Sequence, residues 1–364
     1  MGIIEKMGFK CGLVGMPNVG KSSIFNLLTK QKIPANNYPF CTIDPNIAFV
    51  EVPDKRLDKL VEINQSKNII NASIEFVDIA GLIKGASKGE GLGNEFLSNI
   101  HSTDVIAHVV RFFKDKEILH VKDKFTPLED YQDINLELIL ADINTTEKYL
   151  ERLKKTKLVN KEKEVLTCEI KELLNHLSKD NFASSFKFSE ELASLSDFKL
   201  LTNKPVFVIA NINDQSDNDE ITKFKKALHP DVQFVSIDVK LEQDIMELNE
   251  DEQAEFLKDL GLSEDALSRI ITMGYNLLGL KTFFTAGPKE TRAWAAKKDF
   301  NARECSGIIH TDIMKGFIRA ETVAYNDYIK HNGEQGSKTG GVWRQEGKDY
   351  IVEEGDVIYF RFNV

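Results

Sequence analysis

Gly15-Met16-Pro17-Asn18-Val19-Gly20-Lys21-Ser22 matches the pattern GxxxxGK[ST], and its neighbours give the pattern meaning. The run Lys10 to Gly15 (KCGLVG) is apolar and ends in glycine, while Lys21 to Thr29 carries Ile24, Phe25, Leu27 and Leu28 at helical spacing. Strand, glycine loop and helix form a phosphate cradle: the loop wraps its N–H groups around a β-phosphate and the helix N-terminus faces the anion. In that reading Lys21 neutralises β- and γ-phosphate oxygens and Ser22 offers its hydroxyl to Mg²⁺, with Asn18, Val19, Gly20 and Ser23 lining the remainder.

Outward from the loop, Asp78-Ile79-Ala80-Gly81 follows the apolar run IEFV, where a metal-side carboxylate and a γ-phosphate-sensing glycine belong. Thr42, in YPFCTIDP, lies between the two motifs at the place of a threonine that closes over Mg²⁺. Gly85, Gly89, Gly91 and Gly93 are dense enough to oppose a helix, so a mobile loop ordered by the γ-phosphate is expected there. The strand VFVIA ends in Asn211-Ile212-Asn213-Asp214, which has the carboxylate of a guanine reader but no lysine. An Asp facing adenine meets the N1 lone pair and facing guanine meets donors, and the base stays open between the two. Leu82 stands where a water-orienting glutamine is common, which makes His120 the first candidate for that task, ahead of His101 and of His108, whose place in a strand favours packing.

The first 130 residues alternate strands and helices, with further strands expected at Ile47 to Val52, Ile74 to Val77 and Val105 to Val110. Such alternation builds a mostly parallel sheet covered on both faces. Glycine and proline vanish between Asp133 and Lys199; Leu136, Leu140, Ile143, Leu150 and Leu153 fall on one stripe, and Leu166, Ile170, Leu173 and Leu177 on another. Two helices of about 20 residues, each about 30 Å long, are expected to form an antiparallel hairpin turning near Lys154 to Lys161. Sheet character resumes at PVFVIAN and Asp231 to Ile237, an acidic helical region spans Leu241 to Asn276, and a small α+β domain follows. In it LKTFFTAG and DVIYFRFNV read as strands and Thr311 to Val323 as a helical stretch.

The 364 residues carry a net charge of −10, and no apolar run approaches the length of about 18 residues that a bilayer span needs. Four scattered cysteines give neither a disulfide framework nor a zinc site, and Met1 to Met7 lacks a signal peptide's apolar stretch, so a cytoplasmic protein is expected. From Leu277 onward 13 Lys plus Arg face 12 Asp plus Glu, against 34 and 45 before it, which makes the C-terminal quarter the better place for RNA. Lys289, Arg292, Trp294, Lys297 and Lys298, then Lys315, Phe317 and Arg319, interleave charge with aromatics. The aromatics are expected in the core and the charges on RNA phosphate.

GMPNVGKSS, NYPFCTIDPN, EFVDIAGLIKGASKGEGLGNEFL, FFTAGPKETRAW, HTDIMKGFIRAET and GKDYIVEEGDV together resemble the Obg-like ATPase family, also called YchF, from Met7 to the C-terminus. The resemblance implies an α/β P-loop NTPase in two parts, 7–132 and 201–276, with a helical hairpin inserted at 133–200 and a β-grasp (TGS) domain at 277–364. It implies ATP over GTP as substrate, Mg²⁺, slow hydrolysis and association with ribosomes. The residues themselves are read as a nucleotide-dependent switch, with a nucleotide-gated binding scaffold in which turnover is incidental as the alternative that Leu82 leaves open. The expected contact is the large subunit and its RNA, through the hairpin and TGS regions of a monomer, with no membrane and no DNA sequence specificity. By the same resemblance Gly20, Lys21, Ser22 and Thr42 hold phosphate and metal, Asp78 and Gly81 serve the γ-side, and His120 positions water. Two departures stand out: Asp214 replaces the family's glutamate in Asn-x-x-Glu, and Asp238-Val239-Lys240 replaces small residues. Asn18 is the residue that accompanies K⁺ use in related NTPases, where the ion stands in for an arginine finger.

Overall fold

The computed structural model describes residues 9–30, 46–79, 91–113, 126–155, 160–193, 195 and 198–363; Thr42, Gly81, Leu82 and His120 lie outside them. The N-terminal part runs β1 (Lys10–Val14), α1 (Lys21–Lys30), β2 (Ile47–Glu51), α2 (Arg56–Asn64), β3 (Asn68–Ile70), β4 (Ser73–Asp78), α3 (Gly91–His101) and β5 (Val105–Arg111). Two long helices follow, α4 (Pro127–Lys155) and α5 (Asn160–Leu177), then the short α6 (Glu190–Ala193). The sheet resumes with β6 (Val206–Ile212), α7 (Asn218–Ala227), β7 (Gln233–Asp238) and three helices, α8 (Val239–Glu247), α9 (Glu250–Asp259) and α10 (Ala266–Leu277).

Six of these strands form one sheet in the order β2-β4-β1-β5-β6-β7. All pairs are parallel except β2 with β4. Every residue of β5 is buried, as expected of a strand covered on both faces. The phosphate loop leaves the carboxyl end of β1, and the ends of β4, β5 and β6 lie beside it, the edge at which open α/β sheets bind ligands.

The C-terminal part is a second sheet, ordered β11-β10-β12-β8-β9-β3. It comprises β8 (Leu280–Ala286), β9 (Glu290–Lys297), β10 (Phe317–Ala324), β11 (Arg344–Glu346) and β12 (Asp356–Phe362). The helices α11 (Ala302–Ile309), α12 (Thr311–Lys315), α13 (Tyr325–Lys330) and α14 (Glu334–Thr339) accompany it. Its last strand, β3, comes from the N-terminal part and pairs in parallel with β9, Asn68 beside Glu290 and Ile70 beside Arg292. Tyr328, fully buried, donates its hydroxyl to Asn64 Oδ1 at 2.7 Å across the same junction.

Four expectations are corrected. The stretch Thr311 to Val323 is a five-residue helix followed by strand β10. A Cβ at Gly316 would lie 2.1 Å from the Asn363 carbonyl, and beyond it Phe317–Ala324 pairs antiparallel with β12, so sheet pairing overrides the helical spacing. Gly91 and Gly93 lie within α3, in its first turn, where glycine interrupts little hydrogen bonding. The first long helix has 29 residues instead of about 20, whereas the second, at 18, has the expected length. The stripe on α4 holds in its second half, where Ile143, Leu150 and Leu153 pack with Leu166, Ile170, Leu173 and Leu177 of α5, but not in its first: Leu136 is 44% exposed, while Ile134, Leu138 and Ala141 enter the main core, because the first half of α4 packs on the sheet. Among the described residues no helix is long and apolar enough to cross a membrane.

Tyr328→Phe removes the donor and leaves Asn64 Oδ1 without its partner at the junction of the two sheets. A loss of about 1–3 kcal/mol is expected, read as a lower denaturant midpoint of the full chain; an unchanged midpoint would refute the role of this bond.

Candidate functional site

The loop between β1 and α1 is shaped by what surrounds it. Gly20 has φ +99°, and a Cβ there would lie 2.1 Å from Asn211 Nδ2; at Gly15 it would lie 2.5 Å from the Val109 carbonyl. Both positions therefore exclude any side chain, one by conformation and contact and the other by contact alone. Asn18 holds a left-handed φ of 62° and is exposed, whereas Val19 is buried. Asn211, 5% exposed at the end of β6, donates Nδ2–H to the Val19 carbonyl at 2.9 Å. An amide read from the sequence as part of the base reader thus braces the phosphate loop; nothing in its spacing from Gly20 could have announced the contact.

Lys21 opens α1 and is 6% exposed. Its ammonium folds back over the loop, donating to the carbonyls of Gly15 at 3.0 Å and Met16 at 2.9 Å. Burial lowers its pKa to about 8, against the upward pull of Asp78. The cation is therefore held at the loop by two neutral carbonyls, an arrangement that an anion can displace with gain. Ser22 and Ser23 are exposed on the first turn of α1.

Ser22 donates its hydroxyl to Asp78 Oδ2 at 3.0 Å, which brings the end of β4 against the start of α1. The other oxygen, Oδ1, is buried and has no hydrogen-bond partner among the described residues. A hydroxyl and an unsatisfied carboxylate oxygen side by side form a hard oxygen donor set, which fits Mg²⁺.

On the base side, Ile212 is half-buried and Asp214 exposed. The loop between them is tied down by Ser216, whose hydroxyl donates to the Phe112 carbonyl at 3.0 Å, while Asn213 Oδ1 accepts from the Gln215 amide at 3.1 Å. Asp238 sits beside Ile212 in register and caps α8, accepting from Lys240 and Leu241 N–H at 3.0 and 3.1 Å. Beneath the loop, His108 is 2% exposed with its ring 4.8 Å from that of Tyr131. Burial, aided by Lys21, lowers its pKa to about 3 and keeps it neutral. In the second sheet Trp294 is buried, donating Nε1–H to Thr285 Oγ1 at 2.9 Å, and Phe317 packs on the same core. Lys289, Lys297, Lys298 and Lys315 are exposed.

Comparison with known proteins agrees with this geometry. Residues 10–161 match a family model described as "50S ribosome-binding GTPase", and residues 280–363 match the model of the YchF GTPase C-terminal region, described as "Protein of unknown function (DUF933)". The "Ribosome-binding ATPase YchF" of Haemophilus influenzae is 49% identical over 363 residues, covering 98% of this chain and all of that one. Its namesake from Bacillus subtilis is 47% identical over 366 residues with the same coverage. The solved Schizosaccharomyces pombe YchF GTPase superposes with a TM-score of 0.86 at 35% identity, over 97% of this chain and 98% of its own. By identity along nearly its whole length and by superposition of both sheets, the chain belongs to the YchF family.

Proposed function

We propose that this protein is a Mg²⁺-dependent P-loop nucleoside triphosphatase, acting on ATP and working as a nucleotide-dependent switch on ribosomes in the cytoplasm. The observation that carries the reading is the triad at the carboxyl edge of the sheet: Lys21 folded over its loop, and Ser22 on a carboxylate with one oxygen left unsatisfied. Relatives at 47–49% identity that are named ribosome-binding ATPases support the substrate and the partner.

In this reading the loop N–H groups and Lys21 hold the phosphates, with Gly81 on the γ-side. Ser22, Asp78 and Thr42 hold the metal, which when bound neutralises charge that develops on the transferred phosphoryl group. Asn18 offers its side-chain oxygen to K⁺. His120 orients the attacking water in place of the glutamine that Leu82 supplants. Asn211 keeps the loop in shape, and Ile212 and Asp214 face the base. The nucleotide domain comprises 7–132 and 201–276, the hairpin 133–200 and the TGS domain 277–364. Exposed lysines of the last two meet large-subunit RNA, and the protein acts as a monomer.

A guanine preference is the second reading, favoured by Asp214, whose shorter carboxylate has the reach of guanine readers. Titration of ATP and GTP decides between them: ATP is expected to bind more tightly, and a GTP preference above about tenfold, about 1.4 kcal/mol, would reverse the assignment. Lys21→Ala is expected to reduce turnover by about 10²–10³ or more in a folded protein, and unchanged turnover would end the proposal. His120→Ala should lower turnover by about 10² with nucleotide affinity retained; lost affinity with intact turnover at saturation would remove it from catalysis.

Lys21 adds a pH signature. Its folded pKa of about 8 lies below the ordinary 10.5, so between those values the unfolded chain binds more protons and the free protein gains stability as pH rises. A triphosphate beside the amine favours its charged form. Binding near pH 8.5 is therefore expected to take up protons, seen as a buffer-dependent heat in calorimetry. The uptake should vanish in Lys21→Met and below pH 7, where the amine is already charged; buffer-independent heat at pH 8.5 would contradict it.

A further inference from the structure

A four-residue segment, Leu201 to Lys204, holds two helices at once. At its start the N–H groups of Leu201 and Thr202 donate to the carboxylate of Asp142 on α4 at 2.7 and 2.8 Å, and the Thr202 hydroxyl adds a third bond at 2.6 Å. Asp142 is fully buried, midway along the long helix. The Thr202 hydroxyl oxygen also accepts from Ala183 N–H at 2.9 Å, drawing in the chain that follows α5. At its end Lys204 sends its ammonium to the carboxyl terminus of α3, donating to the carbonyls of Ile100 at 2.6 Å, His101 at 3.0 Å and Thr103. The Ile100 carbonyl also accepts from the N–H of Thr103 at 3.1 Å and from its hydroxyl at 2.9 Å, and the end of α3 carries the negative end of the helix dipole, so a cation is well placed there. Burial lowers the Lys204 pKa to about 8 against the pulls of Asp104 and Asp142, with Lys199 adding to the fall.

The two anchored helices have different neighbours. α3 begins at Gly91, directly after the segment that follows Asp78. α4 is the first arm of the hairpin. One end uses a buried carboxylate and the other a half-buried ammonium, each satisfied by several hydrogen bonds, and parting either end would leave that charge without those partners. Moving the segment with α3, and α4 with the segment, avoids that cost.

We propose that Leu201 to Lys204 is a mechanical strap through which α3, on sensing the nucleotide, repositions the hairpin helix α4. The inference rests on the nucleotide reading above. Its test is amide hydrogen exchange on the full chain, with and without Mg²⁺ and a non-hydrolysable ATP analogue. The wild type should show slowed exchange in the loop at 15–22, in α3, and in α4 around Asp142 by about fivefold or more, the low end of ordinary coupling between sites. In Lys204→Met the loop and α3 should respond as before while the response of α4 is lost, and Lys204→Arg should restore it. Asp142→Asn, which keeps the shape but not the charge, should give the same loss and serves if Lys204→Met does not fold. An α4 response equal in wild type and variants, or none in wild type despite protection at 15–22, overturns the strap alone. No protection at 15–22 overturns the nucleotide reading and the strap together.

Discussion

A backbone that must approach other atoms too closely to bear side chains is the constraint on which the rest of this structure depends. At Gly15 the neighbour is a carbonyl of β5, and at Gly20 it is the amide of Asn211 from β6. The loop is therefore moulded by two adjacent strands of the parallel sheet, and the order β1-β5-β6 is what brings them there. Because the loop is tied through Val19 to a buried amide, its N–H groups need little reorganisation to meet an anion, which is the condition for strong electrostatic stabilisation. Lys21 supplies the charge, and its partial desolvation in the free protein is a cost that an incoming phosphate relieves.

Local pattern revealed the parts of the fold that local forces decide. The strands of the first sheet were legible because VIAHVVR and VFVIANI are continuous apolar runs, and the cradle because glycine, lysine and serine recur at a spacing that one strand-loop-helix unit satisfies. The second sheet was harder. Phe317–Ala324 has apolar residues that suit a helix as well as a strand, and its choice is made by β12, whose pairing partner lies some forty residues away in sequence. The first half of α4 departs from its stripe for a related reason, since leucines at regular spacing mark the face toward α5 and do not say which face meets the sheet. Buried polar contacts left no trace at all: Asp142 with Thr202, or Tyr328 with Asn64, are pairs that only the folded chain creates.

The two additions to the nucleotide fold are fastened in different ways. The C-terminal sheet is continued by β3, so main-chain hydrogen bonds run from one part of the chain into the other. Arg56 strengthens the junction, pairing with Glu354 at 2.7 Å while its guanidinium lies 5.0 Å from the ring centre of Phe284. Shearing this junction would break a ladder and an ion pair together. The hairpin, by contrast, is held at its base by side chains: Tyr131 against His108, Ile134 and Leu138 in the core, and Asp142 on the strap. Side-chain contacts can exchange one arrangement for another without exposing backbone, whereas a sheet ladder cannot, so movement is cheaper at the hairpin than at the second sheet.

Strand β6 joins these observations. It begins two residues after Lys204, whose ammonium is seated on α3, and contains Asn211, whose amide holds the phosphate loop. Between those anchors Phe207 to Ala210 are buried and paired on both sides, to β5 and to β7. A strand hydrogen-bonded along both edges resists sliding, because a shift of register would exchange its two faces. In the proposed coupling it is therefore the fixed reference for α3 and α4, with the braced loop at one end and the strap at the other. On the proposed coupling the phosphate loop need not deform for the hairpin to respond, since the strap joins α4 to α3 and not to the loop.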